Sequence, residues 1–176
     1  MDTPAQLSQE GKKLYAAGKF TQAGHTFGQA AEGYLAANDQ IAWAEARNNQ
    51  SVALLQDGNP AGALASLEGT HAAFETAGDK LRLAMSWGNR ASALDALDRL
   101  DEAEQEYLRA SELLKELSQH DLRAELQKGL SAMLMRSGRQ MEALATMKVG
   151  VDGLENPGIK GSLLKKLLEL PFKWFK

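Results

Sequence analysis

Residues 98–110 read DRLDEAEQEYLRA, a turn residue followed five positions later by an alanine and four positions after that by a bulky side chain. The same pattern starts at four turn residues spaced 40 apart: Gly18, Gly58, Asp98 and Gly138. The alanines keep the same spacing: Ala23, Ala63, Ala103 and Ala143. Because chance does not hold several columns in register over this length, we predict an internal repeat of 40 residues.

Each repeat is predicted to contain two helices. The first helices are expected at about 4–17, 41–57, 81–97 and 121–137, each ending near the turn residue, where glycine favours a helix C-terminus. The second helix follows the turn, and its apolar or small residues recur on one helical stripe: Ala23, Phe27, Ala30 and Tyr34. The repeats are placed at about 4–39, 40–79, 80–119 and 120–157. We therefore predict an all-α fold.

The composition is that of a folded protein, and it excludes cysteine chemistry. Of the 176 residues 44% are hydrophobic and 24% are charged, and there are no cysteines, so disulfides and thiolate metal sites are excluded. No apolar run reaches the roughly 18 residues that a membrane span needs, and the first residues do not resemble a secretory signal. We expect a cytoplasmic protein, with a position at the inner face of a membrane as the alternative.

Positive charge is concentrated near the C-terminus. Residues 158–176 contain five lysines and one glutamate, which gives them a net charge of +4. Because the whole chain has a net charge of −3, residues 1–157 carry −7. Phosphate contacts require clustered cations on the binding surface. An acidic body therefore argues against nucleic acid as a partner.

The repeat columns resemble those of the tetratricopeptide repeat (TPR) family. In the third repeat the resemblance lies in Trp87, Ala91, Leu94, Leu100, Ala103, Tyr107 and Ala110; in the first it lies in Gly11, Leu14, Gly18, Phe20, Ala23, Phe27 and Ala30. The 40-residue period is similar to that of kinesin-light-chain-type arrays. The resemblance implies a right-handed α-solenoid of four helix-turn-helix repeats over residues 4–157.

The resemblance also implies that the first helices line a concave groove holding an extended peptide or a partner helix. Asn48, Asn49 and Asn89 fall where kinesin-light-chain-type arrays carry an asparagine ladder, and an amide can pair with peptide backbone groups. The alternative is that Asn49 and Asn89 bridge neighbouring helices. The expected groove residues are Gln9, Lys12, Glu45, Asn48, Asn49, Gln56, Asn89, Ser92, Asp95, Lys128 and Arg136.

Nothing in the sequence indicates catalysis. His25, His71 and His120 fall at different positions of their repeats, and none has an acid at metal-ligand spacing. We expect no catalytic residue, no metal site and no cofactor. The predicted function is a non-enzymatic adaptor or scaffold for a protein or peptide partner. The alternatives are a scaffold attached to a membrane surface and a regulatory subunit of an enzyme complex.

The C-terminal segment has its own pattern. We expect a glycine-containing hinge at 158–161 and a basic amphipathic helix and tail at 162–176. Its apolar positions are Leu163, Leu164, Leu167, Leu168, Phe172, Trp174 and Phe175. Such a helix can cap the last repeat, bind an anionic membrane, or bind a partner or a second copy. Our hypothesis is that the leucines mainly cap the array, while the three aromatic residues remain available to a membrane or partner.

Overall fold

The computed structural model describes residues 2–154 and 157–173 and is all-helical over that part of the chain, which confirms that the fold is all-α. The helices are α1 (Pro4–Ala16), α2 (Phe20–Ala36), α3 (Gln40–Gln56), α4 (Pro60–Ser66), α5 (Thr70–Thr76), α6 (Lys80–Ala96), α7 (Leu100–Glu116), α8 (His120–Arg136), α9 (Gln140–Asp152) and α10 (Gly158–Lys173). Helices adjacent in the chain pack against one another as pairs. The chain divides into two compact units, Met1–Glu106 and Tyr107–Lys176.

A backbone signature recurs every 20 residues. Positive φ angles occur at Gly18, Asn38, Gly58, Gly78, Asp98, Ser118, Gly138 and Gly158. At the first seven, the next backbone N–H donates to the carbonyl five residues earlier, as from Lys19 to Leu14 at 3.0 Å and from Arg139 to Leu134 at 2.9 Å. This arrangement satisfies a carbonyl that the end of the helix would leave unpaired. Helix ends are therefore set at a regular interval, which is half of the 40-residue repeat.

Three helix starts in the first unit are capped in the same way. Oδ1 atoms of Asp39, Asn59 and Asp79 accept hydrogen bonds from the backbone N–H three residues later, at 3.0, 2.9 and 3.0 Å. Each side chain thereby accepts a hydrogen bond from a backbone N–H that has no partner within the helix. The short turns between helices thus carry both a C-terminal and an N-terminal helix signal.

In the first unit α1 packs on α2 and α2 packs on α3, while α3 contacts α4, α5 and α6. Phe27 is 2% exposed and packs with Ala23 and Ala53. A Cβ atom added to Gly11 would lie 2.8 Å from the Phe27 ring. Glycine at this position therefore allows α1 to approach α2 closely.

The second helix of the second repeat is broken, whereas we expected one helix in each such position. α4 ends at Ser66 and α5 begins at Thr70, with Gly69 between them at φ +77°. A Cβ on Gly69 would lie 3.1 Å from Cη2 of Trp43. The carbonyl of Ala65, near the end of α4, accepts a hydrogen bond from the Arg47 guanidinium at 3.1 Å. The break is therefore stabilised by side chains of α3.

The second unit contains the end of α7 followed by α8, α9 and α10. Its core includes Leu130, Leu134 and Ala143, each 2% exposed or less. α9 packs on both α8 and α10. Residues 158–161, expected as a hinge, form the first turn of α10, and residues 162–173 continue the same helix. Trp174 and Phe175 lie outside the described residues, as does the side chain of Phe172.

Candidate functional site

A small pocket opens between α1 and α3 in the first unit. Its volume is about 160 Å³, and it is lined by Lys12, Tyr15, Phe27, Asn49 and Val52. Lys12 and Tyr15 are three residues apart on α1, as are Asn49 and Val52 on α3, so each pair lies on one side of its helix. We call this the α1–α3 pocket. It combines a cation and an amide with apolar and aromatic side chains.

A series of ion pairs beside this pocket joins α1, α3 and α6, the first helices of the first three repeats. Lys12 Nζ lies 3.7 Å from Glu45 Oε1, and Arg82 Nη2 lies 3.2 Å from Glu45 Oε2. Arg82 also contacts Asp79, with 2.5 Å between Nη1 and Oδ2. Because these side chains are partly exposed, each pair contributes only about 0.2–1 kcal/mol. Their main effect is to fix the position of charge on α1, α3 and α6.

The ion pairs and a helix cap shift two pKa values. The backbone N–H of Arg82, together with its guanidinium, holds the pKa of Asp79 below its ordinary value. The hydrogen bond from Arg82 to Asp79, aided by the negative charge of Glu45, raises the pKa of Arg82. Hydrogen bonds to a carboxylate favour its charged form. Both shifts favour the charged forms of Asp79 and Arg82.

The asparagines expected in a peptide-binding ladder have different environments. Asn48 is 8% exposed, and its Oδ1 accepts a hydrogen bond from Asn89 Nδ2 at 3.0 Å. Asn48 and Asn89 thus bridge α3 and α6. Asn49, by contrast, is half-buried and lines the α1–α3 pocket. Among these three asparagines, Asn49 is the one placed at a pocket.

The remaining predicted groove residues are spread over both units. Gln9 and Gln56 are exposed, and Asp95 is half-buried on α6. The Ser92 hydroxyl donates to the Gly88 carbonyl of its own helix at 3.0 Å.

Lys128 and Arg136 belong to α8 in the second unit and are exposed. Lys128 pairs with Glu125 of the same helix at 3.5 Å. From the predicted set, the structure therefore brings Lys12 together with Glu45 and Asn49, and Asn48 together with Asn89.

Four residues of this site lie outside the predicted groove set: Tyr15, Phe27, Val52 and Arg82. Phe27 was expected as a packing residue of α2. For Tyr15 and Val52 the available signal was spacing, since Tyr15 follows Lys12 by three residues and Val52 follows Asn49 by three. That spacing places them on the same helix side as a predicted groove residue. Arg82 carried no comparable signal, because its ion pair with Glu45 depends on how α3 and α6 pack.

A second pocket, of about 480 Å³, lies among α8, α9 and α10. Its lining residues are Asp121, Ala124, Glu125, Lys128, Met147, Gly150, Val151, Leu154, Gly161 and Leu164. A Cβ on Gly150 would lie 3.0 Å from Gln127 Cβ, so the missing side chain allows α8 and α9 to approach. Of the predicted groove residues, Lys128 reaches this pocket.

The three histidines lie on different helices, α2, α5 and α8. The His71 ring stands edge-on to Trp87, with 6.3 Å between ring centroids. Across residues 2–154 and 157–173 no group of three or more acidic or histidine side chains could hold a metal ion. Within the same ranges, the helices are too short or too polar to cross a bilayer.

No family model matches this chain, and no curated protein matches its sequence significantly.

Proposed function

We propose that the four 40-residue repeats are TPR-like repeats and that the protein is a non-catalytic adaptor. In this proposal the repeats form a right-handed α-solenoid whose first helices bind an extended peptide or a partner helix. The 20-residue recurrence of left-handed turn residues and the packing of α3 against α6 support the repeat assignment.

The observation that carries the binding proposal is the α1–α3 pocket. The Asn49 amide offers one acceptor and two donors, which suit the alternating N–H and C=O groups of an extended peptide. Tyr15 and Val52 provide an apolar contact, and Lys12 lies within the same pocket. A peptide that places an aliphatic side chain next to an acidic residue fits this combination.

An array of immobilised peptides tests the proposal with the full chain. We expect binding to peptides that carry an aliphatic residue within two positions of Asp or Glu, and little binding when the acid is replaced by lysine. Asn49→Ala and Lys12→Ala should each weaken binding about two- to tenfold, which corresponds to roughly 0.5–1.5 kcal/mol for a lost hydrogen bond.

Lys13→Ala is the matched control. Lys13 neighbours Lys12, but its side chain is 78% exposed and pairs with Glu10 on its own helix at 3.8 Å. This variant should bind peptides like the unmodified protein. Equal binding by Asn49→Ala at an unchanged melting temperature, or no peptide binding at all, would contradict the proposal.

A further inference from the structure

One side of α10 is attached to α9. Leu168 is 4% exposed, and Leu164 lines the second pocket together with Val151 and Leu154. Lys165 Nζ lies 3.4 Å from Asp152 Oδ1, and Lys148 also pairs with Asp152. This side of the helix therefore covers the apolar end of the second unit.

Another side of α10 carries apolar surface that the described residues do not cover. Leu163 is 58% exposed and Leu167, one turn later, is 51% exposed. Lys166 lies between them in the sequence and is also exposed. Gly158, Ser162, Leu163 and Lys166 line a shallow depression of about 500 Å³. We call Leu163, Lys166 and Leu167 the outer face of α10.

The charge of this segment indicates what covers the outer face. Residues 158–176 carry a net charge of +4, whereas the rest of the chain carries −7. Leucine repeats beside lysines are typical of helices that lie in the plane of an anionic bilayer. Each lysine near such a surface strengthens binding about fivefold.

A second copy is a less suitable occupant in a symmetric arrangement. A two-fold contact would place the outer face of one copy against the same face of another. Lys166 of both copies would then approach each other in an apolar contact, and like charges oppose that arrangement.

We propose that the outer face of α10 binds the surface of an anionic lipid bilayer, while Leu164 and Leu168 hold the helix on α9. Leu163 and Leu167 enter the boundary between headgroups and acyl chains, and the Lys166 ammonium pairs with lipid phosphate or carboxylate. This binding does not depend on the proposed peptide pocket, which is built from α1, α2 and α3.

Co-sedimentation of the full chain with vesicles tests the proposal. We expect binding to vesicles of phosphatidylcholine containing a third phosphatidylserine, and little binding to phosphatidylcholine alone. High salt should weaken it, because salt screens the charge contacts. Leu163→Ser with Leu167→Ser should weaken binding by at least tenfold, and Lys166→Gln by about fivefold.

Leu108→Ser is the matched control, since Leu108 is 52% exposed on α7 and does not belong to the outer face. It should sediment like the unmodified chain, and all variants should melt at similar temperatures. If the double serine variant does not fold, Lys166→Gln and the salt dependence still decide the result.

Three results would overturn the proposal. One is absence of sedimentation with anionic vesicles, and another is equal sedimentation of unmodified, double-serine and Lys166→Gln proteins. The third is a dimer by analytical ultracentrifugation that the double serine variant dissociates, with no vesicle binding. That last result would assign the outer face to a second copy.

Discussion

Gly138 and Ser118 both end a helix in the left-handed backbone conformation, with φ angles of +80° and +54°. A Cβ added to Gly138 would meet no atom within 4 Å. A side chain there is therefore opposed by the backbone conformation alone. Serine at position 118 carries that same conformational cost in the natural sequence.

We expect Gly138→Ala to lower the free energy of unfolding by about 1–2 kcal/mol, because a left-handed backbone disfavours a Cβ atom. Ser118→Gly should raise it by about 0.5–1 kcal/mol, since the relief exceeds the entropic cost of glycine. Urea unfolding followed by circular dichroism measures both. Unchanged midpoints in both variants would show that these turns are not under conformational strain.

Asp79 makes stability depend on pH. Its pKa is held below the ordinary value of about 3.8 in the folded protein, mainly by the backbone N–H of Arg82. The unfolded chain therefore binds the proton more tightly. The resulting stabilisation is present above pH about 4 and disappears as the pH falls through the folded-state pKa.

Asp79→Asn separates the charge of this side chain from its role as a helix cap. Asparagine still accepts the hydrogen bond from the Arg82 N–H but has no ion pair. At pH 7 we expect a loss of about 0.2–1 kcal/mol in unfolding free energy. Between pH 5 and pH 2.5 the variant should lose less stability than the unmodified protein. Parallel pH profiles would contradict the assignment.

Within α10, leucines from the same stretch of sequence differ in how far they are buried. Leu168 is 4% exposed and Leu163 is 58% exposed, although both belong to the same short amphipathic run. The predicted capping role of this helix accounts for the burial of Leu168 and the partial burial of Leu164. It does not account for the exposed leucines, Leu163 and Leu167.

Leu168→Ala should therefore lower the free energy of unfolding by about 2–3 kcal/mol, because a buried leucine loses packing and leaves a cavity. Leu163→Ala should change it by less than about 0.5 kcal/mol. Thermal melts of both variants at equal concentration provide the comparison. Similar losses in the two variants would mean that α10 packs differently in solution.

At the scale of the whole molecule, the repeat proposal predicts which deletions preserve folding. Deleting 40–79 removes α3, α4 and α5 and joins Asp39 to Lys80. Asp39, which caps α3, then takes the place of Asp79 as the cap of α6. We expect a helical protein with a cooperative but lower melting transition, because nearest-neighbour contacts dominate repeat arrays.

Deleting 60–79 is the contrasting variant. It removes one second helix and leaves its first helix without a partner, so the chain direction of every later helix is reversed. We expect loss of the cooperative transition or aggregation. If both deletions melt alike, the helices are not organised as 40-residue pairs.

The helical class, the 40-residue period and the approximate helix ends could all be predicted from sequence patterns. The signals for the helix ends lie within a few residues of each end. A glycine or a small polar residue at the turn favours the left-handed backbone, and a cap such as Asp39 acts on an N–H three residues away. The backbone carbonyls that accept the hydrogen bond at the ends of the first helices belong to residues of one column, such as Leu14 and Leu134, which recurs at the repeat period.

Contacts between residues far apart in the chain could not be predicted in this way. The break at Gly69 depends on Trp43 and Arg47 of α3, and the Asn48–Asn89 bond crosses 41 residues. The same holds for the division of leucines on α10, where helical periodicity shows a wide apolar arc but not which part of it α9 covers. Packing between helices sets these contacts, and its geometry is not encoded in local backbone preference.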